Sequence, residues 1–322
     1  MTLSVIIPIY NVADCLPRLL DSIYTQGLAP DDHEVICVND GSTDNSLSVA
    51  QSYAALHPNL IIIDQPNAGV SIARNNAMAR AQGDYILFAD PDDRFCPGSI
   101  APLLKETKAF PEADIIVCNS LDNGRRPYDW RNLFQENKLY GSTEILNGGL
   151  LRGSVCGACF KRAFLIQNDI TFLPKVRNGE DTAFFLQAMY HTNRTLFFNQ
   201  DLYEIIGRQG SASRLYTPRR IDAMINSVEK ISQLRDRLSR LPGNRPVLDY
   251  MIYSILLNLV KDTFRTRGTG YFHLRRAGIG RYCHFPLSPN TRFLRNKMEL
   301  INRSFFAFYF IRRIKLFLQG RR

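Results

Sequence analysis

The chain has 322 residues, 45% hydrophobic and 22% charged, the balance of a globular protein built as one large domain or two ordinary ones. Its net charge of +10 is unevenly placed: residues 1–215 carry 18 Lys and Arg against 24 Asp and Glu, whereas residues 216–322 carry 22 against 6. No stretch offers the 18 or so uninterrupted apolar residues of a spanning helix, so that class is excluded, and the basic second part points to a membrane surface, a nucleic acid or another polyanion.

The chain opens on Leu3 to Tyr10, a β-branched run that predicts a strand. The apolar core of that run, Val5 to Ile9, is too short and lacks the basic leader of an amino-terminal signal. Apolar residues at Val12, Leu16, Leu19, Leu20 and Ile23 predict a helix over Val12 to Gln26, capped by Asn11 or Asp14 and ended by Gly27. A second strand over Glu34 to Val38 leads into a polar turn, Asn39 to Asp44, that opens the next helix. Leu60 to Asp64 is a third strand, and Gly69 to Gln82 a helix with Arg74 and Asn75 near its start. Tyr85 to Ala89 then reads as a strand buried on both faces, and it breaks into Asp90-Pro91-Asp92-Asp93. Strand and helix alternating at this spacing give the βαβ pattern of a doubly wound sheet. With no G-x-G-x-x-G and no G-x-x-x-x-G-K-[ST], neither a dinucleotide fold nor a P-loop kinase is expected.

On a parallel sheet the carboxyl ends of strands share one edge, which is where ligands sit in open α/β folds. Asp40 follows the second strand, and Asp90 and Asp92 follow the fourth, so three acids converge there. Adjacent carboxylates repel unless a cation or a proton neutralises them, and a hard divalent ion such as Mg²⁺ or Mn²⁺ suits oxygen donors. Taken singly, the aspartate tip reads equally well as a solvated turn.

Further strands are expected over Ala113 to Cys118, Val155 to Phe160 and Tyr203 to Arg208. Between the first two, Leu121 to Tyr140 shows no core pattern and reads as a surface excursion in preference to a lid. Glu180 and Asp181 follow Gly179 at the head of a predicted helix, where acids also serve simply to oppose the helix dipole. The seven cysteines are scattered, and Cys156 and Cys159 lack the second pair a zinc site needs, so reduced thiols in a cytoplasmic protein are expected. From Tyr216 onward, apolar residues at helical intervals (Ile221, Met224, Ile225, Val228, Ile231, Leu234, then Met251 to Val260) share helices with many Arg and Lys. The last segment, Phe305 to Leu318, mixes aromatics with basic residues that a helical wheel spreads around the axis. Shallow seating on anionic lipid is the preferred reading, against a terminal helix docked on its own domain.

Taken together, Ser4-Val5-Ile6-Ile7-Pro8-Ile9-Tyr10-Asn11, Val38-Asn39-Asp40-Gly41-Ser42-Thr43-Asp44, Asn67-Ala68-Gly69-Val70-Ser71 with Ala73-Arg74-Asn75, Asp90-Pro91-Asp92-Asp93 and Gly179-Glu180-Asp181 resemble family 2 of the inverting glycosyltransferases. Each motif is weak alone; their shared order and spacing over residues 1–215 is specific. The resemblance implies a GT-A catalytic domain over 1–215, a mixed α/β sheet flanked by helices, followed by a basic, mainly helical region over 216–322. It implies that Pro8, Tyr10, Asp40, Arg74, Asp90 and Arg208 line a nucleotide-sugar pocket, with Asp40 near a base that is most often uracil. Asp92, with Asp90, would hold Mg²⁺ or Mn²⁺ on the diphosphate, and Asp181, with Glu180 beside it, would be the general base. Where relatives often have a histidine near the phosphates, Gln209 or a neighbour stands here. The expected partners are a UDP-sugar, a glycan or lipid-linked acceptor and an anionic membrane surface, at the cytoplasmic face of an inner membrane, with no nucleic acid; a homo-oligomer is compatible with this. Two rivals remain: a sugar nucleotidyltransferase, which would want a glycine-rich basic loop where this chain has Tyr10-Asn11-Val12-Ala13-Asp14, and a nucleic-acid-binding protein, which would leave the acidic convergence unused.

Overall fold

The computed structural model describes residues 2–127, 130, 131, 133–148, 154–176, 178–206, 217–266, 270–283 and 295–319. The chain forms two compact units. The first comprises Met1–Gly141, Ser154–Pro174 and Asn193–Gln209; the second comprises Ser142–Gly153, Lys175–Thr192 and Gly210–Arg322. In place of a single cut after residue 215, two short earlier segments belong with the carboxy-terminal helices.

In the first unit β1 (Leu3–Ile9), α1 (Leu16–Tyr24), β2 (His33–Asp40), α2 (Ser46–Leu56), β3 (Leu60–Gln65), α3 (Val70–Arg80) and β4 (Tyr85–Phe88) alternate as expected. Then come β5 (Arg94–Phe95), α4 (Ile100–Ala109), β6 (Ile115–Asp122) and β7 (Leu139–Tyr140). After α5 (Ser142–Asn147), which belongs to the second unit, β8 (Ala158–Lys161) and α6 (Arg162–Gln167) return to the first. Past α7 (Glu180–His191) of the second unit, β9 (Thr195–Ile205) completes the sheet. The strand order is β3-β2-β1-β4-β8-β6-β9-β5, with β7 also on β9. β1 to β4 are parallel, β8 runs against both β4 and β6, and β9 runs parallel to β6, so the sheet is mixed.

Local sequence explains the boundaries. Helix α1 starts at Leu16, four residues later than periodicity suggests, because Pro17 fixes its first turn and residues 11–13 are spent on loop contacts. Strand β9 begins eight residues before the expected Tyr203. Its polar stretch Asn199-Gln200-Asp201 masks the pattern, and irregular register opposite Val117 to Ser120 accommodates it. Arg126, Trp130 and Phe134, within residues 121–140, are better anchored than the composition there suggests. Trp130 is 2% exposed, Phe134 stacks on Phe197 of β9 at 4.3 Å, and Arg126 forms a two-pronged pair with Asp201, both bonds 2.7 Å. Gly83, before β4, passes so close to β1 that a Cβ would lie 2.6 Å from the Leu3 carbonyl carbon and the Ser4 nitrogen. All seven cysteines are buried.

The second unit is helical: α5, α7, α8 (Pro218–Leu238), α9 (Arg245–Arg265), α10 (Tyr271–Arg276), α11 (Arg295–Arg303) and α12 (Phe305–Gln319). Helix α9 is its axis, buried on most sides, with Val247, Ile252, Leu256, Leu259 and Val260 at 0% exposure. Helix α8 lays Ile221, Met224, Val228, Ile231 and Leu234 inward, the stripe expected from sequence except for the half-buried Ile225. Arg220 of α8 pairs with Asp262 of α9 at 2.6 Å. The Tyr190 hydroxyl of α7 donates to the Leu238 and Leu241 carbonyls, and Gly243 passes beneath its ring, where a Cβ would lie 2.4 Å from a ring carbon. Among the described residues no helix is long and apolar enough to cross a membrane.

Candidate active site

The carboxyl ends of β1, β2 and β4 lie side by side in the first unit, which puts Asp40 and Asp90 on one edge about two strand spacings, roughly 10 Å, apart. Pro8 stands in β1 beyond Ile6, the last β1 residue paired to β4, so the N–H it lacks leaves that ladder complete. Tyr10, at the tip, is 51% exposed. Asn11 takes the left-handed backbone (φ 53°), and its Oδ1 accepts from the Thr43 amide at 2.8 Å. The Asn11, Val12 and Ala13 amides donate to Ser42, Ser46 and Asp44, so the loop after β1 is stitched to the loop after β2.

Asp40 is 3% exposed and organises the start of α3. Its Oδ1 accepts from Gln65 and the Ala68 amide and its Oδ2 from the Gly69 amide, all at 2.8 Å. A carboxylate has about four acceptor positions, of which donors among the described residues fill three. Its backbone carbonyl accepts from Asn67, and Gly41 (φ +69°) is required there because a Cβ would lie 2.8 Å from the Asn67 nitrogen. On α3, Arg74 is 2% exposed, donates to Asp90 Oδ1 at 2.7 Å and lies 5.0 Å from the centre of the Phe172 ring. Asn75 clamps the Phe172 backbone from both sides, donating to its carbonyl at 2.8 Å and accepting from its amide at 2.9 Å.

The aspartate tip is a built turn, not a loose one. The Asp93 amide donates to the Asp90 carbonyl, the Asp90 amide donates to the Tyr203 hydroxyl at 2.8 Å, and Arg18 of α1 donates to the Asp92 carbonyl. Sequence reasoning missed Arg18 and Tyr203, and gave Asp93 no role beyond its place in the aspartate tip. Arg18 looks like any solvated helix cation, whereas Tyr203, in an apolar stretch, carried a usable signal, since a buried phenol needs a partner. Asp93 is 5% exposed, accepts from the Ile206 amide at 2.8 Å, and has its carboxyl pushed up to about 7, chiefly by burial and also by Asp90 and Asp92. The sign follows: the folded state keeps a proton that the unfolded chain sheds near pH 4, so stability is full below that and falls as pH rises towards about 7. The expected decline is at most about 1.4 kcal/mol per pH unit. In chelating buffer, urea midpoints from pH 4 to 8 should flatten in Asp93→Asn; an unchanged slope would remove Asp93 as the cause.

Glu180 and Asp181 open α7 in the second unit, as expected of a helix head. Glu180 Oε2 accepts from the Gly179 amide at 3.0 Å. Gly179 (φ +137°) sits where a Cβ would lie 2.9 Å from Ile255 Cδ1. Arg208 and Gln209 lie outside the described residues. Thus Pro8, Tyr10, Asp40, Arg74, Asp90 and Asp92 meet at one edge of the first unit, while the proposed base pair belongs to the second.

No group of three His, Cys, Asp or Glu among the described residues forms a metal cage. The donor set nonetheless fits a hard cation that takes one or two protein oxygens and the rest from a ligand: Asp90, Asp92 and Asp93 crowd the tip, where Arg74 pairs with Asp90.

The mixed sheet with its flanking helices is a fold of the GT-A type, as the likeness to solved structures shows. The sequence profile of glycosyl transferase family 2 matches residues 4–166, and the chain belongs to that family. It is 29% identical over 259 residues to the uncharacterized glycosyltransferase YibD of Escherichia coli K12, covering 74% of this chain and 71% of that one. It is 30% identical over 224 residues to a poly(ribitol-phosphate) beta-glucosyltransferase of Bacillus spizizenii, covering 68% of this chain but only 34% of that longer protein. In fold it resembles residues 1–349 of TarS from Staphylococcus aureus, solved with UDP-GlcNAc. The TM-score is 0.69 and identity 20%, over 99% of this chain and 92% of that one.

Proposed function

We propose that this glycosyltransferase moves a sugar from a UDP-sugar to a hydroxyl of a glycan or lipid-linked glycan, with inversion, in bacterial surface polysaccharide assembly. The supporting observation is the meeting of Tyr10, Asp40, Arg74, Asp90 and Asp92 at one sheet edge. Tyr10 offers an exposed ring to stack on a base, and the fourth acceptor position of Asp40 suits the imide N–H of uracil. Arg74 holds Asp90 towards the ribose, and Asp92, with Asp90, would hold Mg²⁺ or Mn²⁺. When bound, that ion neutralises the charge developing on the departing diphosphate. Asp181, assisted by Glu180, takes the proton of the acceptor hydroxyl as it attacks. Arg208 would add positive charge near the phosphates. The UDP-GlcNAc held by TarS and the polymer glycosylation in the name of the Bacillus relative support the donor and acceptor classes. We place the enzyme at the cytoplasmic face of the inner membrane, where a lipid-linked acceptor is presented.

The test is thermal stabilisation by a panel of nucleoside diphosphates and their sugars, with and without Mn²⁺. UDP or a UDP-sugar should stabilise most, only with the cation, and Tyr10→Ala should weaken it. Equal stabilisation by all bases, or none with any cation, would defeat the reading.

A further inference from the structure

Among the described residues, helix α12 is packed mainly along one side. Phe308 and Tyr309 are buried, Phe308 against Tyr253 of α9, and Arg313 donates to the Tyr309 hydroxyl at 2.7 Å while lying over the Phe264 ring. At about 100° per residue, the opposite arc carries Phe306, Phe310, Ile311, Ile314, Phe317 and Leu318, each between 41% and 58% exposed. Only Ala307 lies among them; Arg313 borders the arc on one side and Lys315 on the other. Arg313 and Lys315 therefore flank an unbroken apolar face, while Arg312 falls on the covered side between Phe308 and Tyr309. An arc of six large apolar side chains, each about half exposed, marks an interaction site.

Its surroundings select the partner. Tyr271 of α10 packs on Phe306 at 4.8 Å, and the adjacent Phe272 is 75% exposed. Arg275, Arg281 and Arg303 line an open depression that Tyr271, Phe305 and Phe306 also border. Residues 263–322 contain fourteen Lys and Arg and a single acid, Glu299. A second copy placed against this face would bring two basic rims together, whereas an anionic surface neutralises them. The 15 residues of α12 rise roughly 22 Å, short of the ~30 Å hydrocarbon core, and carry three charges, so the helix cannot span.

We propose that α12 lies in the plane of an anionic bilayer, its apolar face at the boundary between headgroups and acyl chains, with Arg275, Arg281 and Arg303 on lipid phosphates. This rests on the membrane location proposed above, not on the transfer chemistry. The experiment sediments the full chain with phosphatidylglycerol vesicles and with phosphatidylcholine vesicles, and assays UDP-sugar hydrolysis in parallel. Binding to the anionic vesicles should be tighter by roughly tenfold or more and fall steeply in about 1 M salt, where the Debye length is ~3 Å. Phe310→Glu with Ile314→Glu, both on exposed positions, should abolish most of it while hydrolysis persists. Arg281→Ala with Arg303→Ala should reduce anionic binding and leave the weak phosphatidylcholine binding alone. Undiminished vesicle binding by the double Glu variant overturns the proposal, as does a wild-type dimer, lost in that variant, that ignores vesicles. Intact vesicle binding with no nucleotide-sugar chemistry would support the lipid face and sink the transferase reading instead.

Discussion

Asp181→Asn is expected to lower turnover by roughly 10² to 10⁴, the usual worth of a positioned general base, with UDP affinity nearly unchanged. Two roles compete for this residue, and their magnitudes separate them. As a helix-head acid, Asp181 contributes about 0.3–1 kcal/mol to stability through the dipole of α7, and its loss would leave the rate alone. As the base, its loss removes the proton acceptor of the attacking hydroxyl and spares the ground-state grip on the nucleotide, so kcat falls and donor KM does not. Glu180→Gln provides the internal comparison. Its carboxylate is engaged by the Gly179 amide, so its effect should be smaller and show partly in stability. A pH–rate profile decides further: the acidic limb of kcat should vanish in Asp181→Asn. A rate within a factor of a few of the parent, with the limb intact, would return Asp181 to a purely structural role.

What the sequence could disclose follows from which forces are local. β1, β2 and β4 were legible because burial on both faces writes near-continuous apolar runs, whereas β3, at the sheet edge, was legible from its run Leu60 to Ile63 though only half-buried. β9 was half-hidden because Asn199 and Asp201 find partners only in three dimensions, Asn119 at 3.0 Å and Arg126 at 2.7 Å. Trp130 and Phe134 looked like loop residues since their partner, Phe197, is more than sixty positions away. At the site, the acids and Arg74 stood out by type and spacing, but Asn75 did not announce that it pins Phe172, nor Tyr203 that it bonds the Asp90 turn. Residues that act through a distant backbone atom leave little trace in a linear pattern. The exposure of one arc of α12 was not legible for a related reason: a wheel shows where charges fall, not which arc a neighbouring helix covers.

Arg74→Met carries the second large effect, and it should appear in two measurements at once. Arg74 is the buried partner of an unequal pair, its side chain 3% exposed against 38% for Asp90. Deleting one member of a fully buried pair costs about 3–5 kcal/mol because the survivor is stranded. Here Asp90 faces water and can rehydrate, and methionine keeps apolar bulk against Phe172, so a loss of about 1–3 kcal/mol is expected. Lysine would restore charge but neither the planar fit on the Phe172 ring nor the fork, and should recover only part. The binding consequence is larger in kind. Without its guanidinium, Asp90 is free to turn and sits unneutralised beside Asp92, so the UDP affinity measured calorimetrically with Mn²⁺ should drop roughly tenfold or more. A double-mutant cycle with Asp90→Asn separates the two contributions: neighbours that work as one unit show a coupling of about 0.5–3 kcal/mol. Additive effects, or full UDP affinity in Arg74→Met, would confine Arg74 to holding the fold and shift the burden of ordering the aspartate turn to Arg18 and Tyr203.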